Sequence, residues 1–115
     1  MNGAIIPCDV DSYKDYYSGT NSKITIYRRG KIRIFRVWNC SLNTIASNTP
    51  PLDEIDRPPE TVDSPAFFTN SGLVGRIRLG SDGGCAGWVI GTYGNGNSIV
   101  TSDTSPTFLI FAYTV

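Results

Sequence analysis

The segment Lys23-Ile24-Thr25-Ile26-Tyr27-Arg28-Arg29-Gly30-Lys31-Ile32-Arg33-Ile34-Phe35-Arg36-Val37-Trp38-Asn39-Cys40 carries two runs of alternating character. Ile24 and Ile26 alternate with Thr25 and Tyr27, Arg29 and Gly30 supply a turn, and Lys31 to Cys40 resumes the alternation. Successive side chains of a strand point to opposite faces, so two such runs joined at a glycine predict a β-hairpin. Along the second arm Ile32 and Ile34 share one face while Phe35 and Val37 lie on the other. The apolar face changes sides midway, which requires either a bulge that shifts the register or cover on both faces.

The rest of the chain has the same bias. Ile, Val and Thr supply 30 of the 115 residues, whereas Ala, Leu, Met, Glu, Gln and Lys together supply 16 and Gln is absent. Branched side chains lose rotamer freedom in a helix and pack well on a pleated surface, so the prior is all-β. Twelve Gly, seven Pro and eight Asn furnish the turns that many short strands need. A chain of this length has room for one domain.

Downstream of the hairpin, residues 41–60 hold Pro50, Pro51, Pro58 and Pro59 with Asn43 and Asn48, which predicts a long surface crossing of Greek-key or jelly-roll type. Strands are expected near Pro65–Thr69, over Leu73–Leu79, and over Cys85–Tyr93 after the turn Ser81-Asp82-Gly83-Gly84. A further turn at Gly94–Asn97 precedes a short strand at Ser98–Thr101 and a last one at Thr107–Val115. No segment shows a 3.6-residue period. Residues 1–22 form an extended lead-in with room for one short strand, and residues 23–115 the domain: an all-β sandwich or jelly-roll-like module of seven to nine strands.

The last strand presents Phe108, Ile110 and Ala112 on one face and Leu109, Phe111, Tyr113 and Val115 on the other. A sandwich strand of a monomer has one wet face, and soluble monomers rarely expose apolar patches beyond a few hundred Å². The expectation is therefore that another copy of the chain covers the second face, with Leu109, Phe111, Tyr113, Phe35 and Val37 at the interface. On that basis Phe111→Asp is expected to dissociate the oligomer before it unfolds the domain.

Several chemistries are excluded or disfavoured. With no histidine, Ser-His-Asp and Cys-His catalysis, His-ligated metals and a histidine pH switch are ruled out. Cys8, Cys40 and Cys85 are odd in number and far apart, so they read as reduced, buried thiols rather than as disulfides or a zinc site. No apolar run approaches the roughly 18 residues of a membrane span, and Met1–Cys8 lacks the features of a signal peptide. The expectation is a soluble chain made in a reducing cytoplasm, without membrane insertion.

Basic residues gather in the hairpin (Lys23, Arg28, Arg29, Lys31, Arg33, Arg36) and acids in Asp9, Asp11 and Asp15 and in Asp53, Glu54, Asp56, Glu60 and Asp63. The basic group could hold a polyanion such as nucleic acid or a cell-wall polymer, but the net charge is zero and nucleic-acid motifs are missing, so the better reading is pairing with the acidic segments. The acids read as solvated charge rather than as a metal site or glycosidase pair. No catalytic residue, metal or cofactor is expected. Trp38 shares a strand face with Ile34, and Trp88 with Ile90, so both read first as core. Tyr93, beside the Gly94–Asn97 turn, and Tyr16 and Tyr17 are candidates for stacking on a sugar ring. The ligand-site candidates are Tyr93, Asn95, Asn97 and Trp38.

One order of motifs is shared with a known family. Ile24-Thr25-Ile26-Tyr27 and Lys31-Ile32-Arg33-Ile34 lead to Asn39-Cys40-Ser41-Leu42; then follow Arg57-Pro58, Pro65-Ala66, Gly75-Arg76-Ile77-Arg78 and Asp82-Gly83, and an apolar strand closes the chain. Over residues 23–115 this resembles the C-terminal head domain of tail-fibre, baseplate and receptor-binding proteins of tailed bacteriophages and prophages. Where those sequences often place a glycine and an aromatic before the Arg-Pro pair, this chain has Ile55 and Asp56. The resemblance implies a homotrimeric β-sandwich at the distal end of a virion tail, contacting other tail or baseplate proteins. Its function there is non-catalytic attachment to a bacterial cell-surface polysaccharide. Such heads usually terminate a long shaft, so a chain starting at Met1 is expected to be an excised head or a small separate component. The rival readings are a monomeric carbohydrate-binding module, an architectural virion or decoration protein without a ligand, and a small carboxylate hydrolase.

Overall fold

The computed structural model describes residues 10–69, 73–92 and 106–115, with the backbone alone at 73 and 88–92. The described chain is mostly strand, in two antiparallel sheets with one α-helix. The first sheet runs β1–β2–β3–β8, from β1 (Ser12–Ser18), β2 (Lys23–Arg29), β3 (Ile32–Cys40) and β8 (Thr107–Thr114). The second is centred on β6 (Leu73–Leu79), with β7 (Cys85–Thr92) paired to it and the two-residue strands β4 (Val62–Asp63) and β5 (Phe67–Phe68) on successive stretches of it. Between β4 and β5, Ser64 replaces strand pairing with a side chain: its N–H donates to the Ile77 carbonyl and its hydroxyl accepts from the Ile77 N–H at 2.9 Å.

The expected hairpin is β2–β3. Arg29 pairs with Ile32, so the turn residues are Gly30 and Lys31 rather than Arg29 and Gly30, and Gly30 adopts φ +54, a left-handed value that glycine reaches without a Cβ clash. Alternation decides the faces. Ile24, Ile26 and Arg28 of β2, Arg33, Phe35 and Val37 of β3, and Leu109, Phe111 and Tyr113 of β8 lie in cross-strand rows on the inner face. Phe35 and Val37 are fully buried, and Phe111 and Tyr113 nearly so. The apolar change of side along β3 arises because Ile32 and Ile34 face outward, not because a bulge separates them from Phe35. The bulge comes later, between Trp38 and Cys40, where Asn39 takes φ 54.

One core unites the two sheets. Ile24, Ile26, Phe35, Val37, Phe111 and Tyr113 from the first sheet meet Ile77 and Leu79 from β6, together with Leu42, Ile45 and Leu52. The last three belong to the segment expected to cross the surface, which instead runs inward. Helix α1 (Leu42–Asn48) is capped by Ser41, whose hydroxyl accepts from the Thr44 N–H at 3.0 Å, and it buries Leu42 and Ile45 one turn apart. Its packing needs glycines opposite it: a Cβ at Gly87 would stand 3.0 Å from Leu42 Cδ2, and one at Gly75 would stand 3.1 Å from Leu42 Cδ1. Seven residues span two turns, too few for a period to show in the sequence.

Two further expectations are corrected. β1 is the short strand for which the lead-in had room, but it pairs with β2 and contributes Tyr16 to the core, so the packed body begins before Lys23. The interface assigned to Phe111, Tyr113, Phe35 and Val37, with the half-buried Leu109 packed beside them, is the interior of the single chain. The exposed large hydrophobic residues of β3 and β8, Ile32, Trp38, Phe108 and Ile110, lie on the opposite face. The expected turn at Gly94–Asn97 and strand at Ser98–Thr101 lie outside the described residues.

The Arg57-Pro58 loop and the Asp82-Gly83 hairpin meet. Arg57 Nε donates to the Leu52 carbonyl at 3.0 Å, the Leu52 N–H donates to the Gly83 carbonyl at 2.9 Å, and Gly83 adopts φ +93. A Cβ there would stand 2.8 Å from Arg57 Nε and 3.0 Å from the Leu52 carbonyl oxygen. Gly83→Ala is therefore expected to lower stability by about 1–3 kcal/mol in thermal unfolding. Phe111→Asp places a carboxylate in the core, so a circular-dichroism melt is expected to show an unfolded chain and not a folded, dissociated one.

Candidate functional site

The inner face of the first sheet ends in a polar row, Arg28–Arg33–Tyr113, and the chain turns Asp56 into it from a one-turn 3-10 helix, Glu54–Asp56. The Asp56 carboxylate is wholly buried and accepts four hydrogen bonds. Arg28 donates through Nε at 2.8 Å and Nη2 at 2.7 Å, Arg33 through Nε at 2.9 Å, and Tyr16 through its hydroxyl at 2.6 Å. Tyr113 donates to the Asp56 carbonyl at 2.6 Å, and the remaining Arg33 nitrogens reach the carbonyls of Gly30, Ile32 and Ile55. Burial raises the Asp56 carboxyl, but the Arg28, Tyr16 and Arg33 hydrogen bonds outweigh it and hold the group below the ordinary aspartate range. Burial, followed by the Asp56 hydrogen bond, drives the Tyr16 hydroxyl well above its usual value.

This cluster is architecture. Every acceptor position of Asp56 is taken, so it has none left for a metal or substrate proton, and Asp53 is held by Lys14 at 2.9 Å. Asp11 accepts from the Gly30 N–H at 2.8 Å, and Asp63 is forked by Arg78 at 2.7 and 3.0 Å. Among the described residues no three His, Cys, Asp or Glu side chains gather to hold a metal ion. Burial raises the thiols of Cys40 and Cys85, the latter to about 12, so both are protonated and non-nucleophilic at neutral pH. Cys8 lies outside the described residues, and no described helix is long and apolar enough to cross a membrane.

The outer face of the first sheet is different. Its cross-strand rows read Lys23–Trp38–Phe108, Thr25–Arg36–Ile110 with Asp15 beside Thr25, Tyr27–Ile34–Ala112 with Tyr13 beside Tyr27, and Arg29–Ile32–Thr114. Seven large hydrophobic residues of the described chain are exposed, and five of them, Tyr13, Ile32, Trp38, Phe108 and Ile110, share this face. Trp38 meets Phe108 edge-on with ring centroids 4.7 Å apart, and the Arg36 guanidinium lies 5.0 Å from the Trp38 ring centroid. Tyr13 and Tyr27 pair at 5.9 Å. The face thus divides into an apolar half over β3 and β8 and a mixed aromatic and charged half over β1 and β2, with Arg36 between them.

Of the ligand candidates, Trp38 is on this face at 41% exposure, not in the core. Tyr93, Asn95 and Asn97 lie outside the described residues, and only the backbone is described for Trp88 and Ile90. Tyr16, expected to be exposed, is buried on Asp56, and Tyr17 is half-buried. Sequence reasoning passed over Tyr13, Phe108 and Ile110 as site residues and read Arg36, with the other hairpin cations, as paired with the acidic segments. The signal was the strand alternation itself, since Phe108 and Ile110 occupy the positions opposite Phe111. No family model, curated protein or solved structure matches the chain.

Removing the Asp56 charge leaves the buried Arg33 without a carboxylate partner and the half-buried Arg28 with only Asp53 at 3.7 Å, so Asp56→Asn is expected to cost about 3–5 kcal/mol at pH 7. With its folded pKa depressed, Asp56 contributes stability above the unfolded value of about 3.9 and loses it as pH falls through the lower folded value. The wild-type melting temperature is expected to drop steeply below about pH 4, with this component absent from Asp56→Asn. Parallel pH profiles for the two proteins would contradict the assignment.

Proposed function

We propose that the chain is a non-catalytic attachment module of the phage-tail type, a head domain that assembles as a homotrimer and holds a saccharide of a bacterial surface. The observation that supports this reading is the clustering of exposed apolar side chains on one sheet face. A lone Ile or Phe at a surface is ordinary, but five large ones on a single face mark a contact surface. The interface expected at Phe111 and Tyr113 is the protomer's own core, and the exposed Phe108 and Ile110 of the same strand are what support a subunit contact on the other face.

The two halves of the outer face suit two tasks. Ile32, Phe108 and Ile110 present aliphatic and aromatic area without charge, as subunit contacts do at their centres. Tyr13, Lys23, Asp15 and Arg36 combine ring faces with hydrogen-bonding groups, which is how protein surfaces hold sugars. Asp11, Asp15, Asp53, Asp56 and Asp63 are engaged in ion pairs and hydrogen bonds, which supports binding over hydrolysis. The motif order shared with tail-fibre heads gives the biological setting, a virion tail.

Light scattering of the purified chain is expected to give the mass of three copies. Phe108→Asp with Ile110→Asp is expected to give a folded monomer with a melting temperature within a few degrees of that of an isolated wild-type protomer, because both side chains are solvent-facing in the single chain. A wild-type monomer would favour a free-standing binding module, and an oligomer unaffected by the double substitution would place the interface elsewhere.

A further inference from the structure

The basic residues of the β2–β3 hairpin have separate fates. Arg28 and Arg33 are consumed by Asp56, and Lys23 reaches Asp15 at 3.4 Å. Arg36 makes no hydrogen bond or ion pair among the described residues; its one contact of note is the Trp38 ring. Its cross-strand neighbours are Thr25, whose hydroxyl donates to Asp15 at 2.7 Å, and Ile110, which has nothing to accept with. A guanidinium held over an indole, half-buried and with its N–H donors unspent, is a pre-positioned fork for a planar or tetrahedral anion.

The surface around it is concave. Three depressions on this face, of about 190, 230 and 390 Å³, all include Arg36 in their walls. The second is bounded by the β1–β2 loop, residues 19–22, with Lys23 and Trp38, and the third by Asp15, Lys23, Tyr13 and Tyr27. Two cations and one carboxylate line this ground, and the carboxylate is already hydrogen-bonded by Thr25 and Lys23. The surplus charge is positive, next to an aromatic face. A neutral sugar offers Arg36 only uncharged hydroxyl acceptors, whereas a carboxylate or phosphate offers charge-assisted, bidentate hydrogen bonds that match the guanidinium fork.

We infer that the ground between Trp38 and the β1–β2 loop is an anion-selective saccharide subsite, in which Arg36 and Lys23 hold the carboxylate or phosphate of an acidic sugar while its ring lies on Trp38. This rests on the attachment reading and adds the ligand's charge. The subsite borders the apolar half, so covering Phe108 and Ile110 leaves its loop side open.

The test titrates the 15N-labelled full chain with trigalacturonic acid, with its fully methyl-esterified form, and with poly(glycerol phosphate). The side-chain signals of Arg36 Nε–H and Trp38 Nε1–H are expected to shift saturably with at least one acidic ligand, and the ester is expected to bind about tenfold more weakly than the acid or not at all. The tighter of the two acidic ligands identifies carboxylate or phosphodiester as the natural group. Arg36→Gln is expected to abolish the preference for charge while leaving mass and melting temperature unchanged, and Lys23→Gln to reduce it. Equal shifts with acid and ester, or no shift at these two groups with either acidic ligand, would overturn the inference. Light scattering on the same samples keeps the two proposals apart: an oligomer without charge preference defeats the subsite alone, and a monomer with charge preference defeats the assembly alone.

Discussion

The Asp56 carboxylate is the constraint on which the rest of the architecture depends. Two arginines project from adjacent strands into the interior of a chain of 115 residues, and burying either unpaired would cost more than such a domain has to spare. Asp56 pairs with both, Asp53 adds a second carboxylate 3.7 Å from Arg28, and Tyr16 and Tyr113 complete the set from β1 and β8. One short loop is thereby fastened to all four strands of the first sheet. The loop cannot move without leaving charge in a dry place, so the segment 49–60 is tied down despite its prolines.

That fastening has a consequence for the faces. Arg33 takes an inward position that alternation would otherwise give to an apolar residue, so Ile32 and Ile34 are directed outward. The same register sends Phe111 and Tyr113 in and Phe108 and Ile110 out. The polar interior and the apolar exterior of this sheet are two sides of one pleat. A sheet built this way stores its apolar excess on the surface, where it can do work between molecules instead of within one.

The outer face follows the same logic at finer grain. Its charged groups are graded by their pairing: Asp15 is engaged by Thr25 and Lys23, and Arg36 is engaged by an aromatic ring. Arg36 on its ring keeps its hydrogen-bonding capacity, while Arg28 and Arg33 have spent theirs on Asp56 and, for Arg33, on backbone carbonyls. This difference separates Arg36 from Arg28 and Arg33, which stand on the same hairpin and differ from it only by the parity of their position or by strand.

Residue composition and alternation were enough to establish a predominantly β chain, the β2–β3 hairpin, the strands on either side of Asp82-Gly83, and a last strand apolar on both sides. Each of these depends on neighbours in the sequence, because side-chain parity and turn chemistry are local. Three things were not local. Helix α1 is too short to show a period and exists through its Ser41 cap and its seat over Gly75 and Gly87. Trp38 and Tyr16 exchanged their expected places, because an aromatic with a hydroxyl can serve a buried carboxylate and an indole can carry a guanidinium at the surface. Which of two apolar faces became core was decided by a partner 23 residues from Arg33. Parity alone says that two faces differ, whereas only the meeting of Arg28 and Arg33 with Asp56 decides which one leaves water.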